Sequence, residues 1–312
     1  MDELDKVVSR LDANINALSR HESIDFLSKL RKSRINRPDI VYKVGSALID
    51  GNFIRGGEIW SMYEQVLIAS LQMGDIQRAE RYKDILAAKF GSGGASTSGD
   101  AEGSSRVSKL EGMIMEARGR DGCEAALKLY GGILEANPAN LPVMKRKATL
   151  LRSMGQHKAA TEALHDIIKM YGSDVQAWGE MAELYIEVGD LQAGAFCLEE
   201  LVLLNPMCVA YHTRLAECLY SQGTTQSLLK ARKHYSISLN TQSANLNKRA
   251  LYGLMATCRR MLAEDVWPES SDGRQGKLVT TRLLDWAQLK SSEGMNNVPE
   301  IAKRVSDILS RN

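Results

Sequence analysis

Histidine and cysteine most often bind metals or act as nucleophiles, so their spacing is the first test for chemistry. The chain has five of each, at His21, His157, His165, His212 and His234, and at Cys123, Cys197, Cys208, Cys218 and Cys258. They are scattered, with no C-x-x-C pair and no spacing typical of a zinc site. We expect solvent-facing or packing roles for the histidines, and core packing for Cys197, Cys208 and Cys218.

The sequence also lacks the short motifs of common catalytic and nucleotide-binding sites. It contains no P-loop, G-x-G-x-x-G, H-E-x-x-H or G-x-S-x-G segment. With 40 Lys and Arg against 38 Asp and Glu, the formal charge of +2 gives no general attraction to nucleic acid or anionic lipid. We therefore expect a protein that is not an enzyme, needs no cofactor or metal, and does not bind nucleic acid.

Two further features bear on the cellular compartment. Residues 1–4 are acidic, where a secretory signal would be basic, and no apolar run reaches the roughly 18 to 20 residues that span a bilayer. An odd number of widely spaced cysteines is typical of a reducing cytosol. We expect a protein that is neither secreted nor membrane-spanning.

A period of 34 residues runs through the middle of the chain. Alanine and glycine recur with it, at Ala148, Ala182 and Ala216 and at Gly155, Gly189 and Gly223. Small residues let two helices cross closely, and a glycine after the last apolar residue of a helix is expected to end that helix in the left-handed conformation. The period thus predicts pairs of antiparallel helices that begin near Val107, Leu141, Val175 and Val209.

This pattern resembles the tetratricopeptide repeat. With Trp178 at the tryptophan position of that family, Ala182, Tyr185, Gly189 and Pro206 fall on its later signature positions. The resemblance implies an all-α tetratricopeptide-repeat solenoid, a right-handed superhelix of antiparallel helix pairs. The first helix of each pair would line a concave groove.

The pattern also predicts how the chain is divided. We expect N-terminal helices in 1–57, the repeat array in 58–262 with a Gly/Ser loop at 91–105, a loop at 263–277, and capping helices in 278–312. The terminal units of a solenoid need a polar outer face. In the fourth unit, about three extra residues after Gly223 predict a longer turn between its two helices.

The concave groove is the candidate protein-binding surface, because the repeat register assigns its residues. Positions one, four, eight and eleven after each unit start are expected to point inward. The candidates are Glu111, Met115, Arg118, Lys145, Thr149, Arg152, Gln176, Glu183, Ile186, Thr213, Glu217 and Tyr220. The groove is expected to be basic toward the second unit and acidic toward the third and fourth.

One known use of this fold is a carboxylate clamp for acidic chaperone C-termini. Lys145 and Arg214 match clamp cations, but Thr149 and Glu180 stand where asparagines are expected. A soluble co-chaperone adaptor is therefore the alternative function.

A basic segment near the N-terminus is a second candidate contact. Its cations are Lys29, Arg31, Lys32, Arg34 and Arg37. The segment could lie against anionic headgroups or an acidic partner, or it could be a solvated connection between helices.

A more specific resemblance covers most of residues 58–255. Segments 177–186, 195–201 and 249–254, with Trp60 and Asn205-Pro206, resemble the family of endoplasmic reticulum membrane protein complex subunit 2. The resemblance implies a non-catalytic scaffold, peripheral to the cytoplasmic face of the endoplasmic reticulum membrane, that supports insertion of tail-anchored and multi-pass proteins. Its implied partners are cytosolic segments of integral subunits such as 3 and 5, and a second soluble subunit.

Overall fold

A computed structural model describes residues 19–33, 35–51, 53, 56–90, 100–241, 247–267 and 273–294. Within these ranges all regular secondary structure is helical, and fourteen helices follow one another along the chain. The helices belong to two compact units, residues 1–156 (unit 1) and residues 157–312 (unit 2). The predicted all-α tetratricopeptide-repeat fold is confirmed.

Unit 1 packs its described helices around two apolar clusters. These helices are α1 (Arg20–Ser33), α2 (Pro38–Asp50), α3 (Glu58–Gln72), α4 (Ile76–Phe90), α5 (Asp100–Ala117), α6 (Arg120–Ala136) and α7 (Leu141–Ser153). The larger cluster joins α1 to α5, with Leu27, Leu67 and Leu110 fully or almost fully buried. The smaller cluster joins α6 to α7 through Tyr130 and Val143.

Unit 2 continues the pattern of helix pairs. Its described helices are α8 (His157–Met170), α9 (Val175–Val188), α10 (Leu191–Leu204), α11 (Val209–Gln222), α12 (Thr225–Thr241), α13 (Lys248–Ala263) and α14 (Gly273–Gly294). Ala182, Ala216 and Ala231 are completely buried. A larger side chain at these positions would push the crossing helices apart.

The glycine column ends helices as the sequence predicts. The φ angles of Gly155, Gly189 and Gly223 are 75°, 88° and 71°, in the left-handed region that strains residues with a Cβ. At the end of α9, the N–H of Gly189 bonds carbonyl groups of the last turn. Asp190 then starts α10 by accepting a hydrogen bond from Ala193 N at 3.0 Å. Two residues thus end one helix and begin the next.

Two predicted loops are shorter than expected. Helix α5 begins at Asp100, so 100–105 of the predicted loop 91–105 are helical, and α14 begins at Gly273, so 273–277 of the predicted loop 263–277 are helical. Buried residues further along each helix, such as Leu110 in α5, hold that helix in place. Extending an existing helix costs less free energy than nucleating a new one, so each helix extends into the predicted loop. Residues 91–99 lie outside the described residues, as do residues 1–18 of the predicted N-terminal helices and 295–312 of the predicted capping helices.

The prediction of a longer turn in the fourth unit is wrong. Helix α11 ends at Gln222 and α12 begins at Thr225, so the connection is two residues long. Thr224 Oγ1 accepts a hydrogen bond from Ser227 N at 3.2 Å and caps the new helix immediately. The extra residues therefore lengthen α12 to 17 residues, against 14 in α10.

The expected polar outer face is not found on α14. Leu278, Val279, Trp286 and Leu289 are 49%, 45%, 39% and 58% exposed. These four positions recur at helical spacing, so they form one apolar face. The opposite face buries Thr280 and Ala287 completely.

Candidate protein-binding surfaces

The predicted groove residues are accessible with one exception. Arg118, Thr149 and Gln176 are exposed, and the others are partly exposed apart from Thr213. Arg118 forms an ion pair with Glu80 of α4. Accessibility is necessary for partner binding, and the assignment of these residues to a binding groove stays a prediction.

Thr213 is an interior residue, so its assignment to the groove is wrong. It is 4% exposed, and its Oγ1 lies 2.8 Å from Ser238 Oγ of α12. Asn247, which caps α13, donates its Nδ2 to the same Oγ1 at 3.0 Å. The hydroxyl of Thr213 therefore ties three consecutive helices together inside unit 2.

Unit 2 carries a row of ion pairs across successive first helices, which we call the ion-pair ladder. Its members are Glu183 on α9, Arg214 and Glu217 on α11, and Arg249 on α13. Arg214 Nε donates to Glu183 Oε1 at 2.8 Å, and Arg249 Nη2 donates to Glu217 Oε2 at 2.6 Å. The hydrogen bond with Glu183 raises the pKa of Arg214 above its ordinary value.

The ion-pair ladder shows that the acidic charge expected for the groove toward the third and fourth units is wrong. Glu183 and Glu217 are the acidic candidates of the third and fourth units, and each is paired with an arginine. Two carboxylates and two guanidinium groups cancel, so these residues do not form an acidic surface. Arg249 is not among the predicted groove residues, and it lies 32 residues after its partner Glu217.

Unit 1 also has a polar contact between two first helices, α5 and α7, and this contact is more buried than the ion-pair ladder. We call it the Glu116–Tyr130–Arg146 cluster. Tyr130 Oη donates to Glu116 Oε1 at 2.6 Å, and Arg146 Nε donates to the same oxygen at 2.9 Å. Burial strongly raises the pKa of Tyr130, so its hydroxyl stays a donor. Burial would lower the pKa of Arg146, but the bonds with Glu116 outweigh this effect and raise it.

A surface groove lies beside this cluster, and we call it the α5–α7 groove. Its volume is about 1050 Å³. Its lining includes aliphatic side chains from α6 and α7 (Leu129, Ile133, Leu141, Val143) and charged side chains from α3, α5 and α6 (Glu64, Arg106, Lys109, Lys128). Sequence reasoning did not identify it, because its walls come from segments up to about eighty residues apart in the chain.

The basic N-terminal segment is only partly available. Lys29, Arg31 and Lys32 are exposed on the last turns of α1, where cations favour the helix dipole. Arg37 bonds both carboxylate oxygens of Asp39, at 3.1 and 2.9 Å, and lowers the pKa of that carboxyl group. Arg34 lies outside the described residues. A partner contact by this segment stays a prediction.

Two histidines that look unrelated in the sequence meet in unit 2. The Nδ1 atoms of His212 and His234 are 3.0 Å apart, and His212 Nε2 lies 2.9 Å from Pro206 O. A carbonyl oxygen only accepts, so in the neutral pair His212 Nε2 carries a proton and His234 Nδ1 donates to His212 Nδ1. Burial, aided by His212, lowers the pKa of His234 to about 4.

The three buried cysteines lack the environment of nucleophiles. Burial raises the pKa of Cys197 to about 12 and those of Cys218 and Cys258 to about 11, so their reactive thiolate forms are scarce at neutral pH. Core packing is confirmed for Cys197 and Cys218, whereas Cys208 is partly exposed at the start of α11. In the ranges that the structure describes, no three His, Cys, Asp or Glu side chains are placed to hold a metal ion.

None of the described helices is both long enough and apolar enough to cross a bilayer.

A known protein family and several known proteins are similar to this chain. A family described as the EMC2 TPR-like repeat domain matches residues 101–234. ER membrane protein complex subunit 2-A of Xenopus laevis is 35% identical over 231 residues, which cover 74% of this chain and 73% of that protein. The subunit 2 of Dictyostelium discoideum is 26% identical over 293 residues, covering 90% and 83%. TPR repeat protein oca3 of Schizosaccharomyces pombe is 30% identical over 207 residues, covering 66% and 68%.

The family match runs from α5 into α12, so it includes the repeats that carry the Glu116–Tyr130–Arg146 cluster and most of the ion-pair ladder. The similarity to the Xenopus laevis protein extends over almost three quarters of both chains. This chain belongs to the ER membrane protein complex subunit 2 family.

Proposed function

We propose that this chain is a non-catalytic scaffold subunit of an ER membrane protein complex. The observation that carries the proposal is the 35% identity, over 74% of the chain, to a protein named ER membrane protein complex subunit 2-A. The repeat fold supports a binding role, since stacked helix pairs offer extended surfaces for other proteins. The buried, high-pKa thiols of Cys197, Cys218 and Cys258 further favour binding over catalysis.

In this role the repeat array proposed for 58–262 binds cytosolic segments of the membrane subunits, such as subunits 3 and 5, and a second soluble subunit. The protein is peripheral on the cytoplasmic face of the endoplasmic reticulum and supports the insertion of tail-anchored and multi-pass proteins. The accessible first-helix residues support such contacts, because Lys145, Arg152, Gln176 and Ile186 are at least partly exposed.

The test is affinity purification of the tagged full chain from membranes in mild detergent, followed by mass spectrometry. We expect integral endoplasmic reticulum proteins among the recovered partners, and we expect alkaline extraction to release the protein from the membrane. Recovery of soluble chaperones alone would contradict the proposal.

Reversing two charges on one helix tests whether that helix contacts the membrane subunits. Lys145→Glu with Arg152→Glu, on one first helix, is expected to reduce recovery of the membrane subunits. Lys158→Glu is the matched control, because it changes the same kind of charge at an exposed position of α8.

The alternative, a soluble co-chaperone adaptor, is less well supported. Arg214, one of the two clamp cations, is bound to Glu183 and Glu217 instead of pointing a free charge at a peptide carboxylate. We expect no binding of an acidic chaperone C-terminal peptide that depends on Lys145. Binding that is lost in Lys145→Ala would support the adaptor.

A further inference from the structure

The α5–α7 groove in unit 1 has the composition of a docking site for a peptide segment. Its floor is aliphatic, with Leu129, Ile133 and Leu141 partly exposed and Val143 only 1% exposed. Its volume of about 1050 Å³ is at the upper end of ligand pockets, which are commonly about 300 to 1,000 Å³. A single side chain would fill little of it, whereas several consecutive residues of a partner would fit.

The charged residues of the groove determine which segment fits. Three cations, Arg106, Lys109 and Lys128, line it against one carboxylate, Glu64. Glu64 pairs with Arg106 and lies 4.0 Å from Lys109, so it can offset only one of the three charges. Lys128 is exposed and has no ion-pair partner in the part of unit 1 that the structure describes. The groove therefore presents an excess of positive charge beside an apolar floor.

A glycine in α6, Gly132, lines the groove and helps to keep it open. Counting by the 34-residue period, Gly132 corresponds to Asp166 in α8 and Glu200 in α10, and Gly131 corresponds to His165 and Glu199. A carboxylate at Gly132 would project into the groove and reduce the excess of positive charge that its lining carries. The later repeats carry that carboxylate, and this one does not.

Local folding does not require these glycines. A Cβ built on Gly131 or Gly132 meets no atom within 4 Å, and neither residue has a positive φ. A glycine inside a helix costs about 1 kcal/mol relative to alanine. Neither packing nor backbone conformation explains why glycine is present despite this cost. The open space that Gly132 leaves in the groove is the better explanation.

The rim of the groove is already ordered without a partner. Asn140 Nδ2 donates to Ser105 Oγ at 2.8 Å and so links the start of α7 to α5. Asn140 Oδ1 also accepts from Val143 N at 3.3 Å and caps α7. An ordered rim reduces the conformational entropy that binding must remove.

We propose that the α5–α7 groove docks an acidic segment of another protein, whose aliphatic side chains rest on the floor and whose carboxylates meet Lys109 and Lys128. The inference deepens the proposed scaffold function and rests on it, because it names one binding surface and the chemistry of the partner segment. Segments rich in Lys and Arg are excluded by like-charge repulsion.

The first test measures anisotropy of a fluorescein-labelled peptide of Leu and Glu, with Leu at helical spacing, on the full-length protein. Its counterpart with Lys in place of Glu is the charge control. We expect the Glu peptide to bind and the Lys peptide to bind at least about tenfold more weakly. We expect Lys128→Glu to weaken binding of the Glu peptide about tenfold, and Lys158→Glu on α8 to leave it unchanged.

Gly132→Glu is the decisive variant, because it should obstruct part of the groove and lower its positive charge without unfolding the protein. Its side chain enters open space, and leaving glycine favours the helix. We expect an unchanged or higher Tm together with peptide binding at least about tenfold weaker than that of the wild type. Equal binding by the wild type and Gly132→Glu, or no binding of the Glu peptide to the wild type, would overturn the inference.

Purification from membranes separates this inference from the proposed function. If the wild type and Gly132→Glu recover the same membrane subunits in the same amounts, the scaffold function stands and the groove is not its docking site. If the wild type recovers no membrane subunit, the scaffold function fails, whatever the peptide does.

Discussion

The two units join successive first helices with the same chemical groups in different surroundings. In unit 1, Glu116 is 12% exposed and shares its carboxylate between Arg146 and the buried hydroxyl of Tyr130. In unit 2, Arg249 is 66% exposed where it pairs with Glu217. Without Arg146, the carboxylate of Glu116 keeps only the hydroxyl of Tyr130, whereas without Arg249 the carboxylate of Glu217, which is 22% exposed, keeps its ion pair with Arg214. Burial, together with the cation that remains after one partner is removed, therefore determines how much each contact stabilises.

The largest effect is expected from Arg146→Met. It leaves Glu116 and Tyr130 without a cation in a poorly solvated place, and we expect a loss of about 2 to 3 kcal/mol in the free energy of unfolding. Urea denaturation with hydrogen exchange of α5 to α7 measures the loss and assigns it to unit 1. A loss no larger than that of Arg249→Met would remove the proposed difference between the units.

Gly112→Ala is expected to cost about 2 kcal/mol by overpacking unit 1. A Cβ on Gly112 would lie 2.3 Å from Cε1 of Tyr130, a ring that is completely buried and cannot move aside easily. Gly132→Ala is the control of opposite sign, since it should stabilise the protein by up to about 1 kcal/mol. Thermal unfolding of both variants measures the two changes, and equal shifts would show that helix propensity alone decides them.

Acid should weaken unit 2 through its histidine pair. The pKa of His234 is about 4 in the folded protein, below its ordinary 6.5, so the unfolded chain takes up the proton first. The contribution of His234 to stability is therefore complete above pH 6.5 and is lost progressively as the pH falls toward 4. Lys230 and Lys233 oppose its protonation, and Glu199 favours it.

Hydrogen exchange of α11 and α12 between pH 7 and pH 4 follows this loss. In His234→Phe, the part of the pH dependence due to this group should disappear. An unchanged pH profile in the variant would contradict the assignment.

The smallest effect is expected from Arg249→Met, below about 1 kcal/mol, because exposed ion pairs contribute little. Raising the salt concentration should shrink it further. Urea midpoints of the variant and the wild type at low and high salt check both statements. A loss that does not change with salt would mean that the side chain stabilises unit 2 by packing.

Sequence patterns were most reliable where they concern a single helix or its end. The φ angles of Gly155, Gly189 and Gly223 agree with the predicted helix ends, because a positive φ is a property of one residue. The same patterns failed at the fourth unit, where three extra residues lengthened α12. A count of residues cannot tell a longer turn from a longer helix, and the Thr224 cap decided between them.

The sequence by itself determined the helix pairs, their period and the small residues at their crossings, since helical propensity, capping and apolar periodicity are carried by neighbours along the chain. The tertiary structure decided that Thr213 is buried, that the acids of the ladder are neutralised, and that His212 meets His234. It also formed the α5–α7 groove from three consecutive helices and a side chain of α3. The physical reason is that burial and charge pairing depend on side chains about 20 to 80 residues apart, whose directions are fixed only when the helices pack.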